Sequence, residues 1–130
     1  MQAFIVELAN QPGSLATVCE ALGASGVNIT GVAGATSGST GSFAFTADDE
    51  AGALAVLDAR GWSYREVGLV NAAIEHRPGT LAAAARRIAD AGMNVDTMFV
   101  TGMEGDNVLI AFGVSDPSAA RAALGELAAG

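Results

Sequence analysis

The chain has 130 residues, enough for one ordinary domain or two very small ones that share a core or a sheet. Hydrophobic residues make up 51% and charged residues 15%, a balance that argues for a packed globule and against disorder. The formal net charge is −8, all six basic residues are Arg and none is Lys, so no basic stripe is available for nucleic acid and no lysine for a P-loop or a Schiff base.

Taken in chain order, residues 4–8 alternate as a strand and are broken by Pro12-Gly13. Leu15, Val18, Cys19 and Leu22 recur at i, i+3, i+4 and i+7, one face of a helix, which Gly23 and Gly26 end. A second strand is expected over 28–33, a loose Gly/Ser/Thr hairpin loop over 34–41, and a third strand around Phe43 and Phe45. Asp48-Asp49-Glu50 offers an N-cap and an acidic first turn to a helix through Leu54 and Leu57. Trp62, Tyr64 and Val67 suggest a fourth strand, with the two aromatics in core packing. The order so far is βαββαβ.

The order then repeats. Residues 69–74 read as a strand, and Leu81, Ala84, Ala85 and Ile88 carry a helix face that Gly92 ends. Strands are expected over 95–100 and 108–112 around a 102–106 hairpin. Asp116-Pro117 is an N-cap followed by Pro at the first helical position, ahead of Ala120, Ala123, Leu124 and Leu127. No fourth strand is legible in the second copy. Since 62–67 runs directly into 69–74, one long strand bridging the copies is expected, and it would supply the covering a sheet edge needs. The expected architecture is α+β: two ferredoxin-like βαββαβ units in tandem, residues 1–67 and 68–130, the second lacking its last strand.

The repeat is also one of motif. Asn10-Gln11-Pro12-Gly13-Ser14-Leu15 leads to Gly26-Val27-Asn28-Ile29. His76-Arg77-Pro78-Gly79-Thr80-Leu81 leads to Gly92-Met93-Asn94-Val95 at the same spacing. Each Pro-Gly corner opens a helix whose first N–H groups lack intrahelical partners and whose dipole is positive there, so a carboxylate is a natural occupant. The same corner is equally a common strand-to-helix turn, with Ser14 and Thr80 as caps and not nucleophiles.

Other constellations are weaker. Cys19 is single, so it forms no internal disulfide, and it reads as a small core residue. His76 is the only histidine, so a histidine-based metal site or a Ser-His-Asp triad would depend on it alone. Asp96, Glu104 and Asp106 show no ordered cation loop, and Met93, Met98 and Met103 read as filler. The first residues lack the pattern of a signal peptide, and no stretch approaches the roughly 20 apolar residues of a membrane span. No metal, cofactor, nucleic acid or membrane is expected, and a reducing cytoplasm fits.

These motifs resemble the ACT domain, a small regulatory amino-acid-binding module with the pattern Asn-x-Pro-Gly-x-Leu, an amphipathic helix, then Gly-hydrophobic-Asn-Ile. Gly92 to Val100 is also similar to the regulatory subunit of acetolactate synthase. The resemblance implies a free-standing, non-catalytic, allosteric tandem ACT protein that pairs as a homodimer. It implies a small amino acid bound where ACT units meet, and a metabolic enzyme as the regulated partner. The implied ligand residues are Asn10, Gln11, Pro12, Gly13, Ser14, Leu15, Asn28 and Ile29 in the first copy. In the second they are His76, Arg77, Pro78, Gly79, Thr80, Leu81, Asn94 and Val95. The loop at Asn10 would meet the Asn of a neighbouring copy, Asn94 or Asn28, whose amide can serve both ammonium and carboxylate. His76 departs from the family's Asn, so the first site is the better candidate. The alternative is a module that regulates an enzyme by contact without a ligand.

Overall fold

A computed structural model describes all 130 residues. The chain divides into two compact units, Gln2–Glu66 and Val67–Gly130, with Met1 grouped with the second.

The N-terminal unit contains β1 (Gln2–Ala9), α1 (Ser14–Ala24), β2 (Ile29–Ser37), β3 (Thr40–Ala47), α2 (Glu50–Arg60) and the first residues of β4 (Tyr64–Glu75). Its strand order is β2-β3-β1-β4, with Glu7 N–H donating to Ser63 C=O beside the start of β4. β1–β3 and β2–β3 are antiparallel, placing Phe4 opposite Phe45 and Val6 opposite Phe43. Paired residues point to the same face and alternate residues share it. That face therefore carries Phe4, Val6, Phe43 and Phe45, and it meets Val18 and Leu22 of α1 and Ala53 and Leu57 of α2 in one core. The rings of Phe4 and Phe45 stack at 5.3 Å. Trp62, Tyr64 and Cys19 pack at the margin of the core, as expected.

The C-terminal unit takes the rest of β4, then α3 (Thr80–Asp90), β5 (Thr97–Glu104), β6 (Asn107–Val114), α4 (Pro117–Leu124), a single 3₁₀ turn (Gly125–Leu127) and β7 (Ala128–Ala129). Its order is β5-β6-β4-β7. Val70, Ala72 and Ile74 of β4 with Val108, Ile110 and Phe112 of β6 face Ala84 and Ile88 of α3 and Ala120 and Leu124 of α4. Asp49 and Asp116 cap their helices as expected, accepting from the Gly52 and Ala119 amides at 2.9 and 3.1 Å.

Three expectations need correction. The second unit does not lack its last strand: Ala128–Ala129 pairs antiparallel with Asn71 and Ala72. The strand is only two residues long and has no alternation to betray it. Its pairing with β4 and the Arg121 side chain of α4, and no local pattern, hold it down. The last helix accordingly stops at Leu124, and Leu127 lies in the 3₁₀ turn. The hairpin loops are tight, closing at Gly38-Ser39 and Gly105-Asp106, with β2 running to Ser37 and β5 to Glu104. The Gly/Ser/Thr-rich residues there are strand, because ladder pairing to β3 overrides their weak intrinsic preference. The long strand expected through 62–74 is present as β4, twelve continuous residues that begin at Tyr64 and leave Trp62 ahead of the strand.

Candidate functional site

The loop between β1 and α1 turns on Gly13, which stands at the helix N-cap with φ 91°. Its counterpart Gly79 has φ 89° ahead of α3. An L-residue carries a steric penalty in this left-handed region, so glycine is required by the turn. Neither helix has a side-chain cap. This corrects the expectation for Ser14 and Thr80: each lies one residue inside its helix, with glycine occupying the capping position.

The first loop is built as follows. Asn10 N–H donates to Ser39 C=O, and its side-chain amide donates to Gly38 C=O, both at 2.9 Å. Asn10 thus fastens the loop to the tip of the β2–β3 hairpin. Ser14 N–H reaches Gln11 C=O at 3.3 Å, and Thr17 N–H reaches Gly13 C=O at 3.0 Å. Between them, the Leu15 and Ala16 amides are without a backbone acceptor.

A groove of about 510 Å³ opens beside Ser14 and Leu15. Leu8, Leu15, Val32 and Phe43 form its apolar walls, and Asn10, Gln11, Ser14 and Thr36 supply polar groups. None of its lining residues is ionisable. Leu15 and Val32 are 52% and 53% exposed, so the groove presents uncovered hydrocarbon next to free N–H donors. A second hollow on the loop's other flank, about 390 Å³, is walled by Pro12, Gly13, Thr17 and Trp62.

The second loop has the same backbone and different chemistry. Thr80 Oγ1 donates back to Glu75 C=O at 2.7 Å and lies 3.0 Å from Arg77 C=O, so its hydroxyl is spent within the loop. Arg77 Nε donates to Glu75 at 2.6 Å. The cavity beside this loop, about 310 Å³, is lined by Glu75, Arg77, Pro78, Gly79, Thr80, Arg87 and Leu127 among others. His76 is exposed and does not line it.

The structure gathers some of the expected residues and leaves others apart. Asn10, Gln11, Ser14 and Leu15 line one groove, with Pro12 and Gly13 on the other flank. Asn28 and Ile29 line neither hollow of their own unit. Asn28 N–H is tied to Asp48 Oδ1 at 2.9 Å, and its exposed side chain is turned to solvent. Asn94 likewise lies outside the cavity and donates to Asp96 at 3.3 Å, and Val95 packs against the core. Sequence reasoning missed the groove's far wall of Val32, Thr36 and Phe43. Their only signal was the apolar alternation of β2 and β3.

Four ionisable groups are displaced, among them the Arg87 guanidinium, pushed up by its hydrogen bond to Glu126. A hydrogen bond to Asp58 at 2.6 Å pushes the Tyr64 phenol up to about 12. Arg87 holds the Glu126 carboxyl down at about 2. Burial, aided by the charge of Glu20, pushes the Cys19 thiol up.

Residues 3–60 match the model of the ACT domain. The ACT match covers the first loop, the groove and Asn28, and ends before the second unit. No curated protein matches the chain. Among solved structures, the chain is similar to a protein from Bacteroides thetaiotaomicron at 18% identity and TM-score 0.78, covering 96% of this chain and 86% of that one. It is also similar to the regulatory subunit of aspartate kinase from Thermus thermophilus, at 20% identity, TM-score 0.69 and coverage of 97% and 90%. The corresponding subunit from Thermus flavus gives 19% identity, TM-score 0.67 and coverage of 95% and 88%. At these identities the likeness is one of fold, which is α+β and ferredoxin-like.

Proposed function

We propose that this is a non-catalytic regulatory protein that binds a small free amino acid at its N-terminal ACT loop and signals through a change in assembly. One observation carries the reading: the ACT match spans the Asn10–Leu15 loop, and that loop lies beside a groove combining free amides with apolar walls. The ligand carboxylate would take the Leu15 and Ala16 amides. Each hydrogen bond to a charged group contributes about 1.5–3 kcal/mol, and the helix dipole adds roughly 0.3–1 kcal/mol. Asn10 Oδ1 would accept from the ammonium. The uncharged lining suits an uncharged ligand side chain, because an ionised one would be desolvated without a partner.

Pairing with a second copy belongs to the same reading. Apart from Met1, every large exposed hydrophobic falls at the start of the first helix or on the end strand of a unit. These are Leu15 and Val32 in the first unit, and Leu81, Met98, Val100 and Met103 in the second. Leu15/Leu81 and Val32/Met98 are separated by the repeat offset. An open strand edge beside exposed hydrocarbon is a surface that association covers. An Asn from the second copy, Asn28 or Asn94, would then complete the site. That these side chains lie outside their own unit's hollows supports a role in trans. A homodimer in the cytoplasm acting on a metabolic enzyme is the proposed setting, and a ligand can regulate there only by binding two assembly states unequally.

The C-terminal loop favours the second reading, a ligand-free interaction module. Thr80 and Arg77 already have partners inside the loop, so fewer groups remain for a ligand. A thermal-shift screen of the twenty L-amino acids at millimolar concentration tests the proposal. Stabilisation by one or a few, lost in Asn10→Ala or Leu15→Asp, is the expected outcome. No stabilisation by any of them would count against it and leave the contact module standing.

A further inference from the structure

We infer that the C-terminal segment Gly125–Ala129 is a latched strap, that Arg87 is its latch, and that its seating builds one wall of the cavity beside the second loop. The inference does not depend on the amino-acid reading.

Two helices hold the segment from the side. Arg87 of α3 donates through Nη1 to Leu124 C=O at 2.7 Å and to Glu126 Oε2 at 3.1 Å, and through Nη2 to Glu126 Oε1 at 2.7 Å. A fork gripping a carboxylate and a carbonyl together fixes direction as well as distance. Arg121 of α4 donates to Ala129 C=O at 3.0 Å. Against this, the strand's own hold is slight: two residues pair with β4. Between the clamps, Leu127 packs at the margin of the core and faces the cavity with Arg77, Pro78, Gly79 and Thr80. Arg87 lines that same cavity. One side chain therefore touches both the strap and the loop's hollow.

The N-terminal unit shows what is unusual here. Its hollow beside Gly13 is walled by Trp62, which leads directly into the twelve-residue β4. The wall stands two residues ahead of a long strand. In the C-terminal unit the corresponding wall rests on the Arg87 and Arg121 contacts, a two-residue ladder and the marginal packing of Leu127, an element from the low-stability end of the fold.

Hydrogen–deuterium exchange of the full chain tests this, comparing wild type with Arg87→Ala and Glu126→Gln. In Arg87→Ala, exchange of the 125–130 segment should rise at least about tenfold, and that of the 76–82 loop should rise with it. The 4–9 strand of the N-terminal unit should stay at the wild-type rate. Glu126→Gln, which keeps shape and removes charge, should give a smaller rise in the same two segments. High salt should do the same to wild type. If Arg87→Ala does not fold, Glu126→Gln and the salt series carry the test. Wild-type exchange at 125–130 in the folded variants would refute the latch. A freed strap with an unchanged 76–82 loop would refute its coupling to the cavity.

Discussion

Alanine at position 13 should destabilise the chain, whereas the same substitution ten residues later in the same helix should stabilise it. At Gly13 a Cβ would meet nothing within 4 Å, so crowding contributes nothing and only the backbone matters. With φ at 91°, an L-residue pays about 1–2 kcal/mol in the folded state. The stiffer unfolded chain returns roughly 0.4–1 kcal/mol, which leaves a net loss of about 1 kcal/mol. Gly23 is also open to a Cβ but has helical geometry, so alanine there keeps only the favourable part, a gain of about 0.5–1 kcal/mol. Gly79, at φ 89° and equally open, should match Gly13. Urea unfolding followed by fluorescence of Trp62, the only tryptophan, reads Gly13→Ala and Gly23→Ala within the unit that contains both. With m near 1–3 kcal/mol/M, midpoints should move by about 0.3–1 M in opposite directions. Circular dichroism reads Gly79→Ala. A neutral or stabilising Gly13→Ala, or equal shifts at 13 and 23, would refute the reasoning.

Three further outcomes are expected. Tyr64 is the only tyrosine, so ultraviolet absorbance should show phenolate forming only toward pH 12, and Asp58→Asn should return the transition to near 10. Since the folded value lies above the unfolded one, the Tyr64–Asp58 contribution is present below about pH 10 and lost as pH rises through about 12. Glu126 has the opposite sign. With its folded value near 2, the strap's ion pair contributes fully above the ordinary carboxylate value of 4.5 and is lost as pH falls through about 2, which carboxylate NMR shifts would follow. Leu57→Ala and Ile88→Ala, each removing a fully buried side chain from a different unit's core, should each lower stability by about 2–5 kcal/mol in urea melts. A loss under 1 kcal/mol would show that the site collapses around the missing atoms.

Much of this was legible in the residues because the repeat is carried by backbone-determining types. Pro12-Gly13 and Pro78-Gly79 announce two corners, and their φ values agree to within a few degrees. Asp49, and Asp116 ahead of Pro117, mark helix starts by chemistry that acts within three residues. The misses have longer-range causes. Gly34 and Gly41 look like loop, yet they are strand because β2 and β3 pair along this stretch and β3 pairs with β1 as well. Ala128-Ala129 shows no strand pattern, yet it is a strand because it pairs with Asn71 and Ala72 and Arg121 reaches it from α4, while Arg87 holds the turn before it. At the site, the loop's polar residues were visible as a motif. The groove wall of Val32 and Phe43 was not, because it depends on β2 and β3 folding back beside the loop.

The most direct test of the central claim is amide NMR of the isotope-labelled chain titrated with free L-amino acids. The account predicts that at least one of them, at millimolar concentration or below, moves the Leu15 and Ala16 amides and the Asn10 side-chain amide in a saturable way. Leu81 and Ala82 should respond weakly or not at all. Resonances of Leu15, Ala16 and Asn10 that stay fixed for all twenty amino acids would contradict it.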